Sequence, residues 1–133
     1  MISIVIRTLN EKDSLQKLLF MLKKQKCSVP FEIIVVDNES TDGTKELAES
    51  FDAKVITLPK NAFSYPKSMN LGIENSSYEY VVLTVGHSLP TSDKWLQTVV
   101  KNFENPKMAG FYGPCRPRKN AHLLEFFFTI TGI

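Results

Sequence analysis

Cysteine is nearly absent from this 133-residue chain. Cys27 and Cys115 lie far apart, without metal-ligand spacing, and read as reduced thiols of a cytosolic protein rather than a disulfide framework. Charge of one sign is also scarce. A net charge of +2 is too small to argue for a nucleic-acid partner, and none is expected. No apolar run approaches the ~20 residues that span a bilayer, since the C-terminal "LLEFFFTITGI" is short and is broken by Glu125. No charged leader precedes "ISIVIRTL", which reads as a strand rather than a signal peptide. Repeats, low-complexity tracts and linkers are missing too, so residues 1–133 read as a single domain.

What is present is the composition of a globular protein, 43% hydrophobic and 23% charged. Strand and helix signals alternate. "ISIVIR" (Ile2–Arg7), "EIIVVD" (Glu32–Asp37), "KVITL" (Lys54–Leu58) and "YVVLTV" (Tyr80–Val85) are β-branched runs bounded by polar residues. "MAGFYGPC" (Met108–Cys115) reads as a fifth strand, with a helix beginning near Ala121.

Between the strands, Leu15, Leu18, Leu19 and Leu22 recur at helical spacing within Asp13–Lys24. A second helix carries Thr44, Leu47, Ala48 and Phe51 on one face. A third spans Pro66–Asn75, with Ser64 or Tyr65 as its cap. A fourth spans Asp93–Phe103 behind Thr91 and Ser92. Such alternation predicts an α/β fold, a mostly parallel central sheet flanked by helices. Ligands of such sheets sit beyond the carboxyl ends of the strands.

The residues at those ends admit two readings each. Asp37 either meets a base N–H or ribose hydroxyl, or joins Thr41, Asp42 and Gly43 in capping the next helix. Thr8, Asn10 and Glu11 form either the wall of a pocket or a loop and cap. Lys67 is a partner for a diphosphate at a helix N-terminus or a solvated lysine. In "GPCRPRKNAH", Arg116, Arg118, Lys119 and His122 make a basic loop that is either solvated or meets an anion such as a lipid-linked phosphate.

"IVIRTLNE", "IIVVDNESTDGT", "FSYPKSMNLGI" and "YVVLTVGHSLP", in this order and spacing, resemble family-2 glycosyltransferases of the GT-A fold. The third motif resembles the rhamnosyltransferase-like branch acting on surface polysaccharides. The similarity runs from Ile2 to about Arg118.

The resemblance implies inverting transfer of a sugar from a nucleotide-diphosphate donor to a glycan or lipid-linked acceptor. It places the chain in the cytoplasm or at the inner membrane face. It also implies that Thr8, Asn10 and Glu11 line the nucleotide pocket, that Asp37 faces the base, and that Lys67 stands where an arginine is common near the diphosphate.

The family's Asp-X-Asp motif, which holds Mn²⁺ or Mg²⁺, falls on Val85, Gly86 and His87, so the two carboxylates are missing. His87 alone is then a metal ligand, a direct phosphate contact or a turn residue. No general base is assigned, because Glu125 is the one carboxylate after Met108–Cys115. The chain is expected to be the N-terminal portion of a longer domain lacking the acceptor part. Two other readings stay open: a non-catalytic nucleotide-binding module, and an α/β domain that self-associates through its phenylalanine-rich end.

Overall fold

The computed structural model describes residues 1–105 and 107–113. Expectations placed on the basic loop from Pro114 onward, on the helix near Ala121, on Glu125 and on the apolar C-terminal run lie outside these residues. Residues 1–101 form one compact unit, which contains Thr8, Asn10, Glu11, Asp37, Lys67, Gly86 and His87; the described residues from 102 onward belong to a second.

The first unit is built on four parallel strands, β1 (Ile2–Thr8), β2 (Phe31–Asp37), β3 (Lys54–Thr57) and β4 (Tyr80–Val85), in the order β3-β2-β1-β4. Register pairs Thr8 with Asp37 and Arg7 with both Val36 and Val85, so the carboxyl ends of β1, β2 and β4 stand level. Helices α1 (Lys12–Lys23), α2 (Thr44–Ser50), α3 (Tyr65–Glu74) and α4 (Trp95–Phe103) follow the strands. The predicted boundaries of the four strands and of the first and third helices hold to within a residue or two.

Strand order determines which face each helix covers. From β1 to β2 to β3 the chain steps one way along the sheet, and right-handed crossovers put α1 and α2 together on one face. From β3 to β4 it reverses, so α3 lies on the other face. There Val5, Ile34, Val36 and Leu58 form a buried cluster with Met69 and Leu71 of α3. Gly72 brings that helix onto the sheet: a Cβ there would lie 2.2 Å from Val5 Cγ1. On α1, Leu15, Leu18, Leu19 and Leu22 are all buried, each contributing about 2 kcal/mol of transfer free energy.

Ser64 caps α3 as expected, its hydroxyl accepting the Lys67 N–H at 3.2 Å, with Pro66 in the first turn. Two expectations are corrected. The helix after Ser92 starts at Trp95 rather than Asp93, and the Asp93 carbonyl instead accepts the Lys26 N–H at 2.7 Å. Residues 108–113 are not a strand. Gly110 and Gly113 interrupt the apolar run, and Tyr112 is 95% exposed, so it lacks the packed face a strand requires.

Candidate functional site at the carboxyl edge

The strand order reverses between β1 and β4, and this topological switch point is the position at which open α/β sheets form their ligand crevice. The loop after β1 carries Leu9, Asn10 and Glu11; the loop after β4 carries Gly86 and His87. Glu11 bridges them. One carboxylate oxygen accepts the Thr8 hydroxyl at 3.1 Å, and the other meets His87 Nδ1. Gly86 makes the bridge possible, since a Cβ there would sit 2.6 Å from Glu11 Oε2 and 2.9 Å from Thr8 Oγ1. The Gly86 N–H donates to the Arg7 carbonyl at 3.0 Å, fixing the β4 loop against β1.

The loop after β2 is bound to the loop after β1 by backbone-to-side-chain bonds. The Asn10 N–H donates to Ser40 Oγ at 2.8 Å, and Asn10 Oδ1 accepts the Thr41 N–H at 2.8 Å. Asn10 itself sits at φ 50°, the left-handed region that asparagine tolerates best among side-chain-bearing residues.

Asp42 does more than the expected local capping. Its Oδ1 accepts the Thr44 N–H at 3.0 Å at the start of α2 and also the Thr44 hydroxyl, while Oδ2 accepts the Lys12 N–H at 3.1 Å at the start of α1. These donors, the Thr44 hydroxyl first among them, hold its carboxyl below the ordinary value of 3.8. One acid thus caps two helices and locks the loops into a floor beside the crevice.

Asp37 is 1% exposed. Its Oδ2 accepts the Ser40 N–H at 3.0 Å, a turn bond rather than a helix cap. Its Oδ1 is buried without a hydrogen-bond partner. Asn38, equally buried, donates through Nδ2 to the Leu58 carbonyl at 3.2 Å, and its Oδ1 is likewise unpartnered. Among the described residues the third such buried atom is Arg7 Nε. All three stand at the ends of β1 and β2. A buried polar atom without a partner costs about 1–3 kcal/mol, so their clustering at one sheet edge demands a cause.

The structure therefore brings Thr8, Glu11, Gly86 and His87 together across the crevice, with Asn10 and Asp37 beside them in the locked floor. Lys67 is exposed in the first turn of α3. Asn38 and Arg7 went unassigned in the sequence reading. Arg7 had left a signal, as the one charged residue in "ISIVIRT". A shallow groove lined by Lys23, Phe31, Glu32, Phe51, Asp52 and Lys54 lies at the opposite, amino-terminal end of the sheet and contains none of these residues.

The donor set does not make a cation site by itself. Glu11 and His87 supply one carboxylate and one imidazole, engaged with each other, and no group of three histidine, cysteine, aspartate or glutamate side chains converges among the described residues.

The glycosyl transferase family 2 model matches residues 3–125. The chain belongs to that family. A Bacillus subtilis relative, the uncharacterized glycosyltransferase YfnE, is 45% identical over 115 residues, covering 83% of this chain and 29% of its own length. The fold is that of solved GT-A transferases. Staphylococcus aureus TarS 1-349 in complex with UDP aligns with a TM-score of 0.70 at 21% identity, over 93% of this chain and 44% of that one. The Pyrobaculum calidifontis mannosyltransferase PcManGT, solved with GDP-Man and Mn²⁺, aligns with a TM-score of 0.68 at 22% identity, over 80% and 33%. The chain thus spans less than half the length of each of these proteins.

Proposed function

We propose that this chain is the donor-binding part of an inverting glycosyltransferase that moves a sugar from a nucleoside diphosphate to a glycan or lipid-linked acceptor at the cytoplasmic side of the membrane. The observation that carries this reading is the set of unpartnered atoms, Asp37 Oδ1 and Asn38 Oδ1, buried at the carboxyl edge next to the switch point. Two acceptors fixed in a rigid loop suit the ring N–H and exocyclic donors of a nucleobase. Water-free surroundings make such bonds more discriminating than at a surface. Family membership and the UDP and GDP-Man complexes of the two fold neighbours support the same reading.

With the base at Asp37, the ribose lies over Thr8 and the β1 loop, and the diphosphate reaches the β4 loop and the first turn of α3. His87, when protonated, contributes positive charge to the leaving diphosphate, and Glu11 orients its ring through Nδ1. Lys67 adds a mobile positive charge at the N-terminus of α3, where the helix dipole also favours anions. Electrostatic stabilisation of the departing diphosphate then rests on these side chains.

Calorimetric titration with UDP, dTDP and GDP, each with and without Mn²⁺, tests the reading. Saturable binding of at least one diphosphate that persists in chelator is expected. Absence of binding to all three, in either condition, overturns it. Slow hydrolysis of the matching nucleotide sugar separates an active transferase from a module that only binds.

A further inference from the structure

The chain places its basic charge on lysine almost everywhere. Of 16 basic residues only Arg7, Arg116 and Arg118 are arginine, and Arg7 alone lies among the described residues. It sits in a central strand between Val36 and Val85, a position where a cation is normally paired or replaced by an apolar residue. No carboxylate pairs with it among the described residues, and its Nε is buried and unpartnered.

Its contacts are aromatic instead. The guanidinium carbon lies 4.3 Å from the centre of the Tyr65 ring and 5.8 Å from that of Phe63. The two rings meet edge to face at 5.3 Å. Both are substantially exposed, Tyr65 at 63% and Phe63 at 39%. Between them stands Ser64, whose capping bond fixes the start of α3. Stacking holds the plane of a guanidinium but leaves its in-plane N–H donors to find acceptors at the edge.

Side chains alternate along β1, so Thr8 points to the face where Glu11 and Asp37 gather, and Arg7 to the face covered by α3. The Arg7 carbonyl already accepts Gly86 N–H at the switch point. The guanidinium therefore lies one residue from the crevice, on the side where α3 begins and Lys67 adds charge.

We infer that Arg7, held by Tyr65 and Phe63, is a recognition residue for a phosphate oxyanion at the α3 side of this crevice. An arginine fork binds such a group through two parallel N–H bonds, which a lysine cannot reproduce. The oxyanion comes either from the donor diphosphate or from a phosphate carried by the acceptor. The inference rests in part on the donor reading above, and inorganic pyrophosphate separates the two.

The test uses the whole chain as wild type, Arg7→Met, Arg7→Lys and Tyr65→Ala, titrated calorimetrically with pyrophosphate, a nucleoside diphosphate and the corresponding nucleoside. Arg7→Met is expected to weaken pyrophosphate and diphosphate binding at least tenfold and to leave nucleoside binding unchanged. Its melting temperature should stay level, because the buried, unpartnered Arg7 Nε is removed along with the ring contacts that are lost. Arg7→Lys should recover only part of the affinity, and Tyr65→Ala should lose several-fold.

If the loss appears only when a sugar phosphate is added to protein saturated with nucleoside diphosphate, the oxyanion is the acceptor's. If wild type binds pyrophosphate through Arg7 but no nucleotide, this inference stands and the donor reading falls. Unchanged phosphate affinity in Arg7→Met, or an equal loss for every ligand together with a lower melting temperature, overturns it.

Discussion

Gly86 has no side chain because Glu11 occupies the space one would need. A methyl group at 2.6 Å from Glu11 Oε2 must push that carboxylate away, and with it the contact to His87. Glu11 is flexible, so Gly86→Ala should cost about 1 kcal/mol of stability, at the low end for overpacking, measured by urea unfolding. The larger effect belongs to the site: His87 loses its orienting partner, and affinity for a nucleoside diphosphate falls several-fold while that for the nucleoside does not.

Part of this was legible beforehand. The family resemblance implied that Val85 and His87 stand where a metal-binding acidic pair would, and the sequence put Glu11 in the loop after β1. What it could not supply was their meeting, because 76 positions separate Glu11 from His87 and only strand order makes them neighbours. Arg7 was hidden for the same reason, since its aromatic partners, Phe63 and Tyr65, stand just before α3 and at its first residue.

Among the elements, Asp42 has the widest reach. Removing its carboxylate takes the acceptor from the first N–H of both α1 and α2. An N-cap contributes typically ~1 kcal/mol, so Asp42→Ala should cost about 2 kcal/mol by denaturant unfolding, and Ser64→Ala, which uncaps α3 alone, about half that.

The pH dependence follows in sign. Asp42 is held below its ordinary value of 3.8 by Thr44 and neighbouring N–H donors. Glu32 is held below 4.5, because hydrogen bonds from Ser3 and Ser77 more than offset the upward push of burial. Both carboxyls bind protons more weakly in the folded chain. Their contribution is therefore complete above those ordinary values and is lost as pH falls through the lower folded ones. Unfolding curves between pH 7 and 2.5 should show stability declining below ~pH 4, and Asp42→Asn should flatten that decline.

Local signals explain why these elements were readable: the leucine stripe of α1, the serine and proline that start α3, the β-branched run of β4. The cap that Asp42 supplies to α1 spans 30 positions and leaves no local mark. The run from Met108 shows the converse failure, apolar enough to suggest a strand but given no packed face in the described residues.

At the scale of the molecule, the order β3-β2-β1-β4 does the organising. It puts α3 on the face opposite α1 and α2 and sets the switch point between β1 and β4, with the buried acceptors of Asp37 and Asn38 at the end of the neighbouring strand β2. Close approach of α3 is part of that design. Gly72→Ala, with its methyl 2.2 Å from Val5 Cγ1, should destabilise by about 1–3 kcal/mol, because backbone and sheet must separate to admit it.

The central claim is that Asp37 Oδ1 is the acceptor for a nucleobase. Asp37→Asn isolates it, because the amide oxygen can still accept the Ser40 N–H while a donor replaces the unpartnered oxygen. Calorimetric titration of wild type and Asp37→Asn with the preferred nucleoside diphosphate is the direct measurement. The account predicts a loss of about 30-fold or more, the equivalent of ~2 kcal/mol for setting a buried donor against a donor, with pyrophosphate affinity unchanged. Equal nucleotide affinity in the two proteins would contradict it.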